Sequence, residues 1–141
     1  FLAMLYEIIR DRPDVHRGWL EAELDAQLFL KDLGNATAVS QMADDQTEGM
    51  DRRVLWASLY GQNSPDIGGG KEKLTLRFVF DETAQQLVSA ATKFLHGRKV
   101  VPSAQLRPEA IMDDMANEVL KARGLTAPIG FVGEQPDSAY Q

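Results

Sequence analysis

The fold prediction for this chain rests on the stretch Lys71-Glu72-Lys73-Leu74-Thr75-Leu76-Arg77-Phe78-Val79-Phe80-Asp81-Glu82-Thr83. Apolar and mainly polar residues alternate along it, which is typical of a strand with one buried face. A helical pattern begins directly afterwards, near Asp81. Since this is the one convincing strand pattern in the chain, we predict a mainly α protein with a minor β element. We expect an N-terminal helical part in this chain, followed by a strand, a helix and a second helix.

The composition excludes several kinds of chemistry. The chain has 141 residues, a net charge of −6 and no cysteine. Disulfides, thiolate metal sites and a cysteine nucleophile are therefore excluded, and we predict a cytoplasmic, intracellular location. The apolar segment 1–9 is short and contains Glu7, so we predict neither a signal peptide nor a membrane partner.

The distribution of charge and glycine predicts four parts. Residues 1–61 form an acidic helical part, interpreted as an assembly part, and residues 62–70 form a flexible linker that contains Gly68-Gly69-Gly70. Residues 71–124 form the strand-helix-helix part, with a slight excess of positive charge. Residues 125–141 are predicted to be a tail, loose from Gly133 onward.

The N-terminal part contains one helix with two apolar stripes. Helices are predicted over 2–12, 14–33 and 51–60, whereas residues 36–49 fit either a helix or a loop. In the second helix, one stripe consists of Val15, Trp19, Ala22, Ala26, Phe29 and Leu33. The other consists of Leu20, Leu24 and Leu28. Two apolar faces indicate either a helix buried inside the fold or a helix with one face for a partner. In the second case, Leu20, Leu24 and Leu28 are the predicted partner stripe.

The C-terminal part is predicted to contain two further helices and an edge strand. Asp81 is a suitable cap for a helix that ends near His96, and Pro108 is placed to begin a helix that ends at Arg123-Gly124. Residues 129–132 fit a last edge strand. The first strand must pair with another, either in its own chain, with 99–101 or 129–132, or with the same strand of a second copy.

No pattern of catalytic or metal-binding residues is found. Gly70-Lys71 does not fit a phosphate-binding loop, because Glu72 replaces the required Ser or Thr and a strand follows. His16 and His96 have no partner at ligand spacing. The acidic pairs 44–45 and 113–114 are typical of solvated surface. We therefore predict no catalytic residue, no metal ligand and no cofactor. An enzyme whose acidic residues meet only in the fold remains an alternative.

Residues 71–123 resemble the ribbon-helix-helix family of DNA-binding proteins. The resemblance lies in 73–77, 81–87 and 108–116, in the order strand, helix, helix. It implies a symmetric dimer whose two strands form a ribbon in the major groove of double-stranded DNA. The residues that it places at the DNA are Lys73, Thr75 and Arg77 on the strand, and Thr83 at the first turn of the helix.

Three functions follow from these features. The main prediction is a non-enzymatic binding or assembly protein that acts through helical protein–protein contacts, as a homo-oligomer or with a protein partner. One form of this main prediction is a dimeric regulator that binds DNA through a β-ribbon. The alternatives are a small α/β subunit or adaptor of a larger complex without nucleic-acid contact, and the enzyme described above.

Overall fold

The computed structural model describes residues 4–63, 66 and 72–141. Within these ranges it contains six α-helices and a two-stranded antiparallel sheet. The predicted fold class, mainly α with a minor β element, is confirmed. The helices are α1 (Tyr6–Asp11), α2 (Pro13–Lys31), α3 (Ala36–Asp45), α4 (Arg52–Leu59), α5 (Glu82–Gly97) and α6 (Asp114–Ala122). The strands are β1 (Glu72–Leu76) and β2 (Gly130–Gly133).

The chain divides into two compact units. The first consists of Phe1–Leu76 and Pro128–Gln141, and the second consists of Arg77–Ala127. The predicted boundary at 62–70 lies mostly outside the described residues. The division instead comes directly after β1, so β1 and α5, which the sequence placed in one part, belong to different units.

The helix ends follow local side-chain chemistry. Proline begins α2, where its missing N–H costs nothing. Asp51 caps α4 by accepting a hydrogen bond of 2.6 Å from the backbone N–H of Arg53. Residues 36–49, which the sequence left open, form α3 and the turn after it. The first predicted helix begins later than expected, since Met4 and Leu5 are not helical and α1 begins at Tyr6. Residues 1–3 of that prediction lie outside the described residues.

The strand β1 pairs with β2 of the same chain. Leu74 lies opposite Val132 and Thr75 opposite Phe131, in antiparallel register. Of the alternatives for β1, the structure contains pairing within the chain, and the predicted edge strand near 129–132 is confirmed. The strand is shorter than its alternating pattern, because Phe78 has a φ of +64°, a left-handed conformation in which a strand cannot continue.

The first unit has a core built from its helices and its sheet. Its buried apolar residues are Leu24, Ala36, Trp56, Tyr60, Leu76, Ile129 and Val132. The hydroxyl of Tyr60 donates a hydrogen bond of 3.1 Å to the carbonyl oxygen of Leu30, which ties α4 to α2. Lys31 at the end of α2 donates to the carbonyl oxygen of Ile129 at 2.8 Å, beside β2.

The predicted loose tail is an ordered part of this core. The backbone N–H of Gln135 donates to the carbonyl oxygen of Tyr60 at 2.7 Å. The ring of Tyr140 meets the ring of Trp56 edge-on, with centroids 5.6 Å apart. Arg52 donates to the Tyr140 hydroxyl at 3.1 Å and lies over the ring. The structure differs from the prediction because these contacts join residues about 80 positions apart, which local patterns do not reveal.

The second unit contains α5, α6 and the segment between them. The prediction that a helix begins at Pro108 is wrong. Pro108–Ala110 form a single 3-10 turn, and α6 begins at Asp114. Ile111 has an extended backbone, which separates the two. The predicted C-terminal signal is confirmed, since Gly124 has a φ of +66° and Leu125 donates back to the carbonyl oxygen of Leu120 at 2.9 Å.

Candidate functional site

The two apolar stripes of α2 have different environments, a choice that the sequence left open. Leu24, the centre of the predicted partner stripe, is 0% exposed and belongs to the core. Leu20 and Leu28 on either side of it are half-buried. The sequence could not make this choice, because both stripes have a helical spacing and similar apolar character. A contact of Leu24 with a partner is therefore corrected to a contact inside the first unit.

The other stripe of α2 is uncovered. We use the term α2 face for Val15, Trp19, Ala22, Ala26 and Phe29, all of which are exposed. The indole of Trp19 is the largest group on it and is 53% exposed. Exposed aromatic groups on one helix face are typical of protein contact surfaces rather than of ordinary solvated surface. The α2 face is therefore the first candidate contact surface.

Helix α5 presents a second uncovered apolar surface. It has 16 residues and none of them is buried. We use the term α5 stripe for Leu87, Ala90, Ala91 and Phe94, which lie along one side at helical spacing. Leu87 is 70% exposed and Phe94 is 67% exposed. An amphipathic helix is normally stabilised by burying its apolar side. In this structure Leu87 and Phe94 remain largely in contact with solvent, whereas Val88 is half-buried.

The two ends of α5 have opposite charge. At the start, Asp81 accepts a hydrogen bond of 2.9 Å from the backbone N–H of Ala84 and forms an ion pair with Arg77. The Ala84 N–H above all, and Arg77 with it, lower the pKa of the Asp81 carboxyl. Glu82 adds a second acid at this end. Towards the other end, Lys93 and His96 lie in the helix, and Arg98 and Lys99 follow its last residue, Gly97.

The residues predicted to contact DNA are divided between the two units. Thr75 lies in β1, half-buried and opposite Phe131. Arg77 lies after the end of β1, in the second unit, where its guanidinium is bound to Asp81. Thr83 is exposed in the first turn of α5. Lys73 belongs to β1, and its side chain lies outside the described part of the chain.

Among residues 4–63, 66 and 72–141, no group of three His, Asp or Glu side chains is placed to hold a metal ion. His16 is buried in α2, and Nδ1 of His96 lies 3.2 Å from the carbonyl oxygen of Val101. A shallow furrow is lined by Glu82, Gln85, Gln86, Ser89, Ala90 and Lys93. Since all six lie on α5, it is the open side of one helix rather than an enclosed substrate site.

No helix in the described part of the chain has the length and apolar character needed to cross a membrane. Comparison with protein-family models, with curated proteins and with solved structures gave no match to this chain. The candidate site is therefore defined by the α2 face and the α5 stripe alone. The sequence shows apolar residues at helical spacing in both helices, but it contains no signal that distinguishes a stripe covered by its own chain from an uncovered one.

Proposed function

We propose that this protein is a non-enzymatic assembly protein that binds other protein chains through uncovered apolar helix faces. The observation that carries the proposal is α5, a 16-residue amphipathic helix with no buried residue. Exposing Leu87 and Phe94 to water is unfavourable by roughly 1.5–3 kcal/mol for each side chain relative to full burial. A partner that covers the α5 stripe removes this cost.

The α2 face supports the same function independently. It lies in the first unit, which has its own core, so its exposure is not due to a general lack of packing. Trp19 and Phe29 are residues of the kind that dominate binding energy at protein interfaces. The same helix carries the exposed acids Asp14, Glu21 and Asp25, and polar groups beside apolar ones are typical of protein interfaces.

Site-specific photo-cross-linking tests the function directly. A photoreactive phenylalanine analogue is placed at position 94 or position 19, in the cells that express the protein. We expect discrete cross-linked protein adducts from both positions, or from one of them. Matched controls carry the same analogue at Gln85 or Glu21, which lie on the polar sides of α5 and α2.

The outcome that contradicts the proposal is equally specific. If positions 94 and 19 give no more adduct than positions 85 and 21, the apolar faces contact no protein and the assembly function is wrong. Each variant is first purified and its circular dichroism spectrum is compared with that of the wild type. A variant that has lost the helical signal is unfolded and is not used.

Binding to double-stranded DNA through β1 stays a prediction, and no contact within the described residues favours it over protein binding. Its test is light scattering with and without a random duplex at low salt. A mass increase that disappears at moderate salt and in Arg77→Ala would support the ribbon hypothesis. An unchanged mass would leave assembly as the function.

A further inference from the structure

We propose that the α2 face binds an amphipathic helix of another protein, one whose apolar side is bordered by lysine or arginine residues. This inference rests on the proposed assembly function and specifies the chemistry of one partner. Three features of α2 support it: the arrangement of large and small residues on the face, a glycine beside it, and the acids along its open edge.

The α2 face has the shape of a surface that receives a helix. At 100° per residue, its midline consists of Val15, Ala22 and Ala26, with Trp19 on one side and Phe29 on the other. The two alanines let a second helix approach closely over the middle of α2, and the two rings then contact it from both sides. With 19 residues, α2 offers a length of about 28 Å, which accommodates roughly five turns of a partner helix.

Gly18 lies beside this face in the interior of α2, where glycine is unfavourable. Glycine lowers the stability of a helix interior relative to alanine. Among the described residues nothing near Gly18 requires it, since a Cβ atom there would meet no atom within 4 Å and its backbone is helical. Glycine also permits the closest approach of another backbone. The close approach that Gly18 permits therefore belongs to a partner.

The open edge of the α2 face is acidic. Asp14, Glu21 and Asp25 follow this edge at positions i, i+7 and i+11, and all three are exposed. Asp25 lies nearest to the face, and Glu21 lies at the outer margin of the edge. Asp14 already forms an ion pair of 3.0 Å with Arg12, so Glu21 and Asp25 supply the charge that a partner meets.

The basic residues of α2 do not offset this charge at the face. Arg17 and Lys31 lie on the side of the helix opposite to the α2 face, and Lys31 donates to the carbonyl oxygen of Ile129. Leu30, on the other edge of the face, is half-buried. A partner helix therefore meets negative charge along one edge. Lysine or arginine at the matching positions forms ion pairs there, whereas an acidic partner is repelled.

The same acids argue against other occupants. Helices that bind anionic membranes have basic residues beside their apolar side, and nucleic acids carry the same sign of charge as Glu21 and Asp25. In an antiparallel two-fold pair of α2 helices, the same edge of both copies would meet, so these acids would face each other. A helix of another protein with a basic edge is therefore the occupant that fits.

Binding of a designed peptide to the full chain tests the charge selectivity. The probe is an amphipathic peptide matched to α2 in length, with leucine along one side and lysine along both edges, and the matched peptide has glutamate in place of lysine. The same covalent staple holds both peptides helical. By calorimetry, the lysine peptide is expected to bind at least about tenfold more tightly, with a smaller difference at high salt. Tryptophan emission should shift to shorter wavelength, since Trp19 is exposed and Trp56 is already buried.

Reversing the charge of the edge tests whether these acids select the peptide. Glu21→Lys with Asp25→Lys is expected to weaken binding of the lysine peptide by about tenfold and to make the glutamate peptide the tighter ligand. The matched variant Asp45→Lys with Glu48→Lys makes the same change in net charge at exposed acids outside α2. It is expected to keep the wild-type preference.

Gly18→Ala separates a binding role of this glycine from a structural one. It is expected to raise the midpoint of thermal unfolding of the free protein, because alanine favours the helix. It is also expected to weaken binding of the lysine peptide by about tenfold, because the added methyl group keeps the partner helix away. Gly97→Ala, at the end of α5, is the matched control and should leave binding within about twofold. Unchanged binding in Gly18→Ala would contradict the close approach.

Other outcomes overturn the inference as a whole. Equal affinity for the lysine and glutamate peptides does so, as does the absence of binding by either one. A charge-reversed variant that keeps the wild-type preference has the same consequence. Self-association of the chain that is lost in Trp19→Glu would make a second copy the occupant. In all these cases the assembly function stands if position 19 or 94 gives cross-linked adducts in cells, and it fails if neither position does.

Discussion

The first unit and the second unit bury apolar surface in different ways. In the first, residues from helices, both strands and the C-terminal segment form one core around Trp56 and Tyr60. In the second, the buried apolar residues all lie on α6, and the longer helix α5 has none. Both α2 and α5 are amphipathic, yet only α2 has a side chain of 0% exposure, Leu24. An apolar stripe therefore shows that a helix has a surface to cover, but not what covers it.

The largest loss of stability is expected from a substitution in the core of the first unit. Trp56 is 1% exposed and touches Tyr140, so Trp56→Ala leaves a cavity and should lower the free energy of unfolding by about 3–5 kcal/mol. Urea denaturation followed by circular dichroism measures this. Phe94→Ala in the second unit is the matched control, and at concentrations where the chain is monomeric it should change stability by no more than about 0.5 kcal/mol. Equal losses would mean that Phe94 is a core residue.

A smaller effect on stability is expected when alanine replaces a glycine that is in close contact with other backbone atoms, compared with a glycine that has open space around it. A Cβ atom at Gly61 would lie 2.8 Å from both the Cα and the carbonyl oxygen of Ala57, so Gly61→Ala should destabilise the first unit by about 1–3 kcal/mol. At Gly97, the last residue of α5, a Cβ atom would meet nothing within 4 Å. Gly97→Ala should therefore stabilise that helix by about 0.4–1 kcal/mol. Thermal unfolding of both variants measures the difference, and a neutral Gly61→Ala would contradict the close approach.

The smallest effect depends on pH and reports on the first unit, which contains all three tyrosines. Burial raises the pKa of Tyr60 to about 12. Because the unfolded chain loses this proton near pH 10, the contribution of Tyr60 to stability should be constant below about pH 10 and should be lost as the pH approaches 12. Tyr60→Phe removes this dependence and also the hydrogen bond to Leu30, at a cost of about 0.5–1.5 kcal/mol at neutral pH.

Tryptophan fluorescence follows this transition, since Trp19 and Trp56 both lie in the first unit. The control Tyr6→Phe changes an exposed side chain and should leave the stability at neutral pH unchanged. If Tyr60→Phe and the wild type lose stability equally between pH 10 and pH 12, Tyr60 does not titrate as its burial requires.

Local signals predicted the parts of the fold that depend on neighbouring residues. The Asp81 cap, the Gly124 end of α6 and the alternation in β1 are each determined within a few positions of the chain. The start of α6 was missed because Ile111 departs from helical geometry within an otherwise helical apolar pattern. The contacts of Gln135 and Tyr140 were missed because they join distant residues.

The sequence by itself determined a mainly helical chain with one small β element, its amphipathic stripes and the absence of cysteine chemistry. These follow from backbone preference, residue spacing and composition, which act locally. Only the tertiary structure decided that β1 pairs with β2, that Leu24 is core while Trp19 is exposed, and that α5 keeps its stripe uncovered. The physical reason is that burial depends on which distant segments come together, and the same stripe is equally apolar whichever surface covers it.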